Sequence, residues 1–154
     1  MKKKKIIYII LIILCMLTIF AFSNKNSIKS DKTSKGLIYN ILNTYEKVTN
    51  KNINKEKIVK KLNYPVRKIA HYTIYFLLGL FVYKLILLTN WKYKKRITIG
   101  ICFLYASLDE IHQLFIAGRT GQVKDVFIDT LGAVSAITLI HFLSKEQKEK
   151  GVIK

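Results

Sequence analysis

Acidic residues are scarce in this 154-residue chain: nine stand against 27 basic ones, giving a formal charge of +18. Arginine is scarcer still, with Arg67, Arg96 and Arg119 set among 24 lysines. Cysteine occurs twice, at Cys15 and Cys102, each inside an apolar run with no second thiol nearby. That excludes a disulfide framework and leaves both thiols as small buried hydrophobes. Gly-x-Ser-x-Gly, a P-loop and His-Glu-x-x-His are all missing, so no nucleophile or two-histidine zinc signature is present. Proline occurs once, as Pro65.

What is present is apolar length. Hydrophobic residues make up 51% of the chain, and the mean hydropathy is +0.21. They fall into four stretches of membrane-spanning size: Ile6 to Phe22, Ile69 to Leu88, Ile97 to Phe115 and Val126 to Leu143. Helices satisfy their own backbone polar groups in hydrocarbon. The expected fold is therefore an all-α membrane protein. It is a bundle of four transmembrane helices in one domain over 1–154, with no room for a separate soluble domain. The lysines cluster in the connectors, at membrane edges, where they suit positive-inside topology and anionic head groups. A nucleic-acid partner is rejected on that distribution. The abundance of lysine, isoleucine and asparagine fits codon bias in an AT-rich bacterial genome.

Met1 to Lys5 followed by Ile6 to Phe22 reads as a signal anchor or a signal peptide. Ala21-Phe22-Ser23 resembles a cleavage site, but the length of the apolar run favours an uncleaved first helix. Four lysines hold the N-terminus in the cytoplasm, so the connector over 23–66 emerges outside. The ten lysines of that connector oppose this orientation. Leu37, Ile38, Ile41, Leu42, Tyr45 and Val48 recur at helical spacing within it. They suggest either an amphipathic helix on the membrane surface or a basic loop. Pro65 is expected at the start of the second spanning helix. Asn90 to Arg96 reads as a cytoplasmic turn, and the tail after Leu143 as cytoplasmic too. The expected location is thus the bacterial cytoplasmic membrane, multi-pass, with both termini inside. Oligomeric state is left open.

Against this background Asp109, Glu110, His112 and Gln113 are conspicuous, because a charge at membrane depth is costly. Along a helix Asp109 lies roughly 20 Å from Arg96. The second helix enters from that same far side at Arg67, and the fourth near Lys124. His71 and Asp129 are therefore expected at a matching depth. Arg67, His71 and Tyr75 follow at i, i+4 and i+8, and Asp125 and Asp129 at i and i+4. Asp109, His112 and Gln113 are expected on one side of the third helix, with Glu110 a quarter-turn away. Gly79 and the Gly132, Ala133, Ser135, Ala136 group let helices approach closely. The candidate catalytic or binding cluster is Arg67, His71, Asp109, Glu110, Gln113 and Arg119. Tyr75, His112, Asp125 and Asp129 are candidate substrate-binding residues. A buried ion network that merely staples three helices is the competing reading, although apolar packing would do that without the desolvation cost. His141 lies near the opposite face as an interfacial histidine.

Three blocks of these residues resemble the VanZ-like family of small bacterial membrane proteins, named for a protein linked to teicoplanin resistance. Arg67-Lys68-Ile69-Ala70-His71 with Tyr75 and Gly79 resembles the family's first motif. Asp109-Glu110-Ile111-His112-Gln113-Leu114-Phe115 with Gly118-Arg119 resembles its second. Asp125-Val126 with Asp129, Gly132 and Ala133 resembles the segment that follows. Phe22-Ser23 with Ser30 and Ser34 is similar, more loosely, to a serine-bearing stretch after the family's first helix. The resemblance covers Phe22 to about Ala136. Ala117 stands where the family usually has proline, and Ser135 near a usual glycine. The resemblance implies a cell-envelope setting and an association with glycopeptide resistance, without fixing a molecular activity.

Two functions fit the cluster. In one, an embedded enzyme acts on a phospholipid or lipid-linked head group, with Arg67 and Arg119 clamping a phosphate. Asp109 or Glu110 would then serve with His71 as acid and base. In the other, the same cluster binds an envelope lipid or an antibiotic without catalysis. No cofactor is expected. No metal is expected either, although His71, His112, Asp109, Glu110 and Asp129 carry suitable nitrogen and oxygen donors.

Overall fold

The computed structural model describes residues 2–152 as five helices, with no strand among them. These are α1 (Lys2–Ser23), α2 (Ser27–Thr49), α3 (Lys55–Leu87), α4 (Lys94–Gln113) and α5 (Val123–Val152). Helix α3 is the centre, packed against α1, α2, α4 and α5.

Helix α1 shows how a uniformly apolar sequence still acquires a direction. Its buried residues are Cys15, Ile19 and Ser23, spaced by four, so one stripe faces α3 and α4. Ile6, Ile10, Ile13 and Leu17 stay exposed, as lipid would require. The core joins this stripe to Tyr75, Leu78, Val82 and Ile86 of α3, Cys102 and Ala106 of α4, and Val126 and Ala133 of α5. Tyr105 of α4 donates its hydroxyl to the Met16 carbonyl at 2.8 Å, closing the bundle on the α1 side.

Helices α3 and α5 meet backbone to backbone. A Cβ on Gly132 would lie 2.4 Å from the Tyr72 carbonyl oxygen, and one on Gly79 would lie 2.6 Å from Ala133 Cα. Small residues thus set this crossing, as the sequence suggested. Ser135 accepts the Tyr72 hydroxyl at 2.7 Å, a polar bond across the same crossing.

Among the described residues three helices, α1, α3 and α5, are long and apolar enough to cross a membrane. Helix α4, the fourth expected span, is less apolar, because it carries Lys94, Lys95 and Arg96 at one end and Asp109 and Glu110 at the other. Its uninterrupted apolar part, 97–108, rises only roughly 18 Å.

The connector over 23–66 is helical for most of its length. Asn26 caps α2 by accepting the Lys29 amide at 2.9 Å, and Asn50 ends it in the left-handed conformation at φ 51°. The alternative of a basic loop is therefore discarded. Helix α3 begins at Lys55 under an Asn54 cap, ahead of the expected start at residue 69, and Pro65 lies inside it. The early start is held by α2. Ser34 and Asp31 both bond Asn63, and Lys55 pairs with Glu46 at 2.5 Å. Pro65 is exposed, so the carbonyl it leaves without a partner can meet solvent. Helix α5 likewise runs past the expected Leu143 to Val152.

Candidate functional site

The last turn of α4 builds the site from helical spacing alone. Gln113 stands four residues after Asp109 and three after Glu110, so its amide reaches both. Its Nε2 donates to Asp109 Oδ2 and to Glu110 Oε1, each at 3.0 Å. Its Oε1 accepts from Arg119 Nη1 at 2.9 Å. Gln113 is a buried hub that takes one bond and gives three, the third a longer one of 3.5 Å to Ser23 Oγ. Glu110, about a quarter-turn from Asp109, is thus reached by the same amide; its other oxygen, Oε2, accepts the Gln122 amide at 2.8 Å, just before α5 begins.

Arg119 closes the arrangement from the turn between α4 and α5. Gly118 adopts φ 74°, a left-handed position that glycine takes without strain. The following guanidinium then donates through Nη2 to the Phe22 carbonyl at 3.0 Å and the Ser30 hydroxyl at 3.1 Å. One fork thus ties the end of α1, the start of α2 and the end of α4. Burial and the neighbouring Arg67 both push the Arg119 pKa below its ordinary value. Two guanidiniums side by side leave room for an anion.

Behind them sit His71, Asp109 and Asp129, one from each of α3, α4 and α5. Each offers a ligand atom, and those atoms all lie within 4.8 Å of one another. The depth arithmetic over three helices thus describes a real convergence. Asp109 Oδ2 also accepts the Ser23 hydroxyl at 2.9 Å. Asp129 is 0% exposed, yet neither of its carboxylate oxygens has a hydrogen-bond partner. His71 Nδ1 stands 3.6 Å from Asp129 Oδ2, within ion-pair range but long for a hydrogen bond. Tyr75, one turn beyond His71, is fully buried with an unpartnered hydroxyl.

Arg67, His71 and Arg119 also line a cavity of about 210 Å³ between α1, α2 and α3. Its remaining wall is largely apolar, with Ile19, Leu37 and Ile74 among the lining residues. Arg67 has no ion-pair or hydrogen-bond partner among the described residues, so its donors are uncommitted.

Not every candidate joins this group. His112 turns away from the carboxylates and packs on Phe20, ring centroids 5.0 Å apart. Its Nε2 is buried and unpartnered. Asp125 pairs with Lys68, so the two aspartates of α5, one turn apart, serve different partners. His141 is exposed on α5, outside the site. Three contributors went unassigned in the sequence: Ser23, Ser30 and Lys68. The serines appeared only as part of a family-like stretch. A hydroxyl closing an otherwise apolar helix, at the depth of Asp109, was the signal available for Ser23.

A family model described as VanZ/LLP1 matches residues 7–144. No curated protein matches the chain, and no solved structure does.

Proposed function

The chain belongs to the VanZ/LLP1 family, and on that premise we propose that it is a cell-envelope protein holding a lipid or lipid-linked phosphate head group. The observation that carries the reading is the cavity, where Arg67 and Arg119 stand beside apolar walls. Guanidinium forks match phosphate oxygens, and the apolar wall suits the start of an acyl or prenyl chain. His71 joins the cavity to the buried Asp109 and Asp129, so an acid–base pair lies next to the proposed head group.

The topology that goes with this reading has α4 crossing beside α1, α3 and α5. Both termini are then cytoplasmic, and the cavity opens to the outer leaflet. Four lysines in the first turn of α1 support that orientation. The family association makes glycopeptide tolerance the expected phenotype.

A second reading, recognition without catalysis, is favoured by one feature. Both terminal nitrogens of Arg119, with Gln113 and Glu110, are already engaged by one another, by the Ser30 hydroxyl and by backbone. Groups so engaged can hold a ligand's surroundings without taking part in chemistry.

The test is phenotypic. Overexpression should raise tolerance to lipid-tailed teicoplanin more than to vancomycin. Unchanged inhibitory concentrations for both, with the protein confirmed in the membrane, would remove the link.

A further inference from the structure

We propose that His71, Asp109 and Asp129 form a binding site for one divalent transition-metal ion, Zn²⁺ or Mn²⁺. The site goes beyond the head-group reading, departs from the sequence expectation of no metal, and does not depend on either. It begins with an imbalance. Asp129 is wholly buried, and both of its oxygens lack a hydrogen-bond partner. A buried carboxylate without hydrogen bonds is costly, and a second carboxylate, Asp109, stands within 4.8 Å of it. His71 provides one positive charge at most. A divalent cation balances both carboxylates and leaves the imidazole neutral, as a ligand must be.

The geometry agrees with this. Metal–nitrogen and metal–oxygen bonds of about 2.0–2.2 Å in a tetrahedral site place neighbouring ligand atoms roughly 3.4 Å apart. His71 Nδ1 and Asp129 Oδ2 are separated by 3.6 Å, near that value and too long for a hydrogen bond. The three residues come from three different helices, so the ligands meet only in the folded bundle.

The surroundings fit the second layer of a metal centre. Ser23 Oγ and Gln113 Nε2 both donate to Asp109 Oδ2, at 2.9 and 3.0 Å. They fix the carboxylate and leave Oδ1 uncommitted, in the way outer partners orient ligating carboxylates. Three protein ligands leave a coordination position for water or an oxyanion. His71 also lines the Arg67–Arg119 cavity, so that position is reached from the cavity side. An imidazole with two carboxylates favours Zn²⁺ or Mn²⁺ over Mg²⁺, which prefers oxygen alone.

Full-length protein in nanodiscs, stripped with a chelator and dialysed against Zn²⁺ or Mn²⁺, should retain about one ion per chain by mass spectrometry. H71Q and D129N should each weaken binding by at least tenfold. E46Q should retain it, because Glu46 pairs with Lys55 in the α2–α3 hairpin, outside the site. Mn²⁺-loaded wild-type protein should show nitrogen hyperfine coupling from a single imidazole by pulsed electron paramagnetic resonance. That spectrum needs no variant, so it decides the matter even if D129N fails to fold. No retained ion, equal retention in H71Q and D129N, or Mn²⁺ without imidazole coupling would each overturn the proposal. Such a result would leave the head-group reading intact, since Arg67 and Arg119 carry that reading alone.

Discussion

At the scale of single residues, the two cavity arginines are unlike each other. Arg119 holds three elements together through Gln113, Phe22 and Ser30, whereas Arg67 has no hydrogen-bond or ion-pair partner among the described residues. Lysine keeps the charge but loses the fork. Arg119→Lys should cost about 1.5–3 kcal/mol, the range for bonds to a charged group, and lower the protein's abundance. Arg67→Lys should leave thermal stability within about 0.5 kcal/mol, the usual range for a side chain without partners. Its resistance phenotype should nevertheless fall. Thermal melting and inhibitory concentration, read together, check both. A parallel loss in the two variants would make the cluster a staple rather than a site. This scale was partly legible beforehand. Asp109 to Gln113 announced themselves by polarity within an apolar run. His112 misled because three-residue spacing puts it near Asp109 on paper, while the ring of Phe20 draws it toward α1.

At the scale of helices, the α3–α5 crossing and the α2–α3 hairpin depend on different physics. The crossing is steric. Gly132→Ala would push a methyl onto the Tyr72 carbonyl, which no rotamer change can relieve. The two helices must separate, at about 1–3 kcal/mol. Gly100→Ala, where a Cβ meets nothing within 4 Å, should instead stabilise by roughly 0.5–1 kcal/mol. Thermal unfolding in detergent distinguishes the pair.

The hairpin is polar. Lys35 at 2.6 Å, with help from Asn63, holds the Asp31 carboxyl below its ordinary value. A folded value below the unfolded one, about 3.9, means stabilisation that is present above that pH. It fades as the pH falls further, through the folded value. Amide exchange in α2 should therefore quicken on acidification below about pH 4. Asp31→Asn should quicken it at neutral pH and remove that part of the acid response. The hairpin escaped the sequence reading because Lys55 to Asn63 is polar and Pro65 suggested a beginning. Its helix is secured by α2, not by lipid.

At the scale of the whole molecule, orientation is the open physical contest. Four lysines in the first turn of α1 compete with ten in 23–66, and only short connectors near the spans count strongly. Cysteines placed at Asn52 and Thr120 should react with an impermeant thiol reagent in intact cells, and one at Lys94 should not. Cys15 and Cys102 are buried, so the native thiols give little background. Labelling at Lys94 alone would invert the topology and move the cavity to the inner leaflet.

Composition and periodicity by themselves determined an all-helical chain with apolar stretches, and that His71, Asp109 and Asp129 fall at one level of the bundle. Both follow from one-dimensional quantities, the length of apolar runs and a fixed rise per residue. They also marked Gly79 and Gly132 as contact points, because small residues have one main use between membrane helices. Tertiary structure alone decided the partners. Ser23 meets Asp109 across 86 residues of sequence, and Asp129 turns to His71 while Asp125, one turn earlier, turns to Lys68. Rotation of one helix about its axis relative to its neighbours chooses between such partners. Rotation is fixed only when every helix packs at once, through contacts as close as Gly132 on Tyr72.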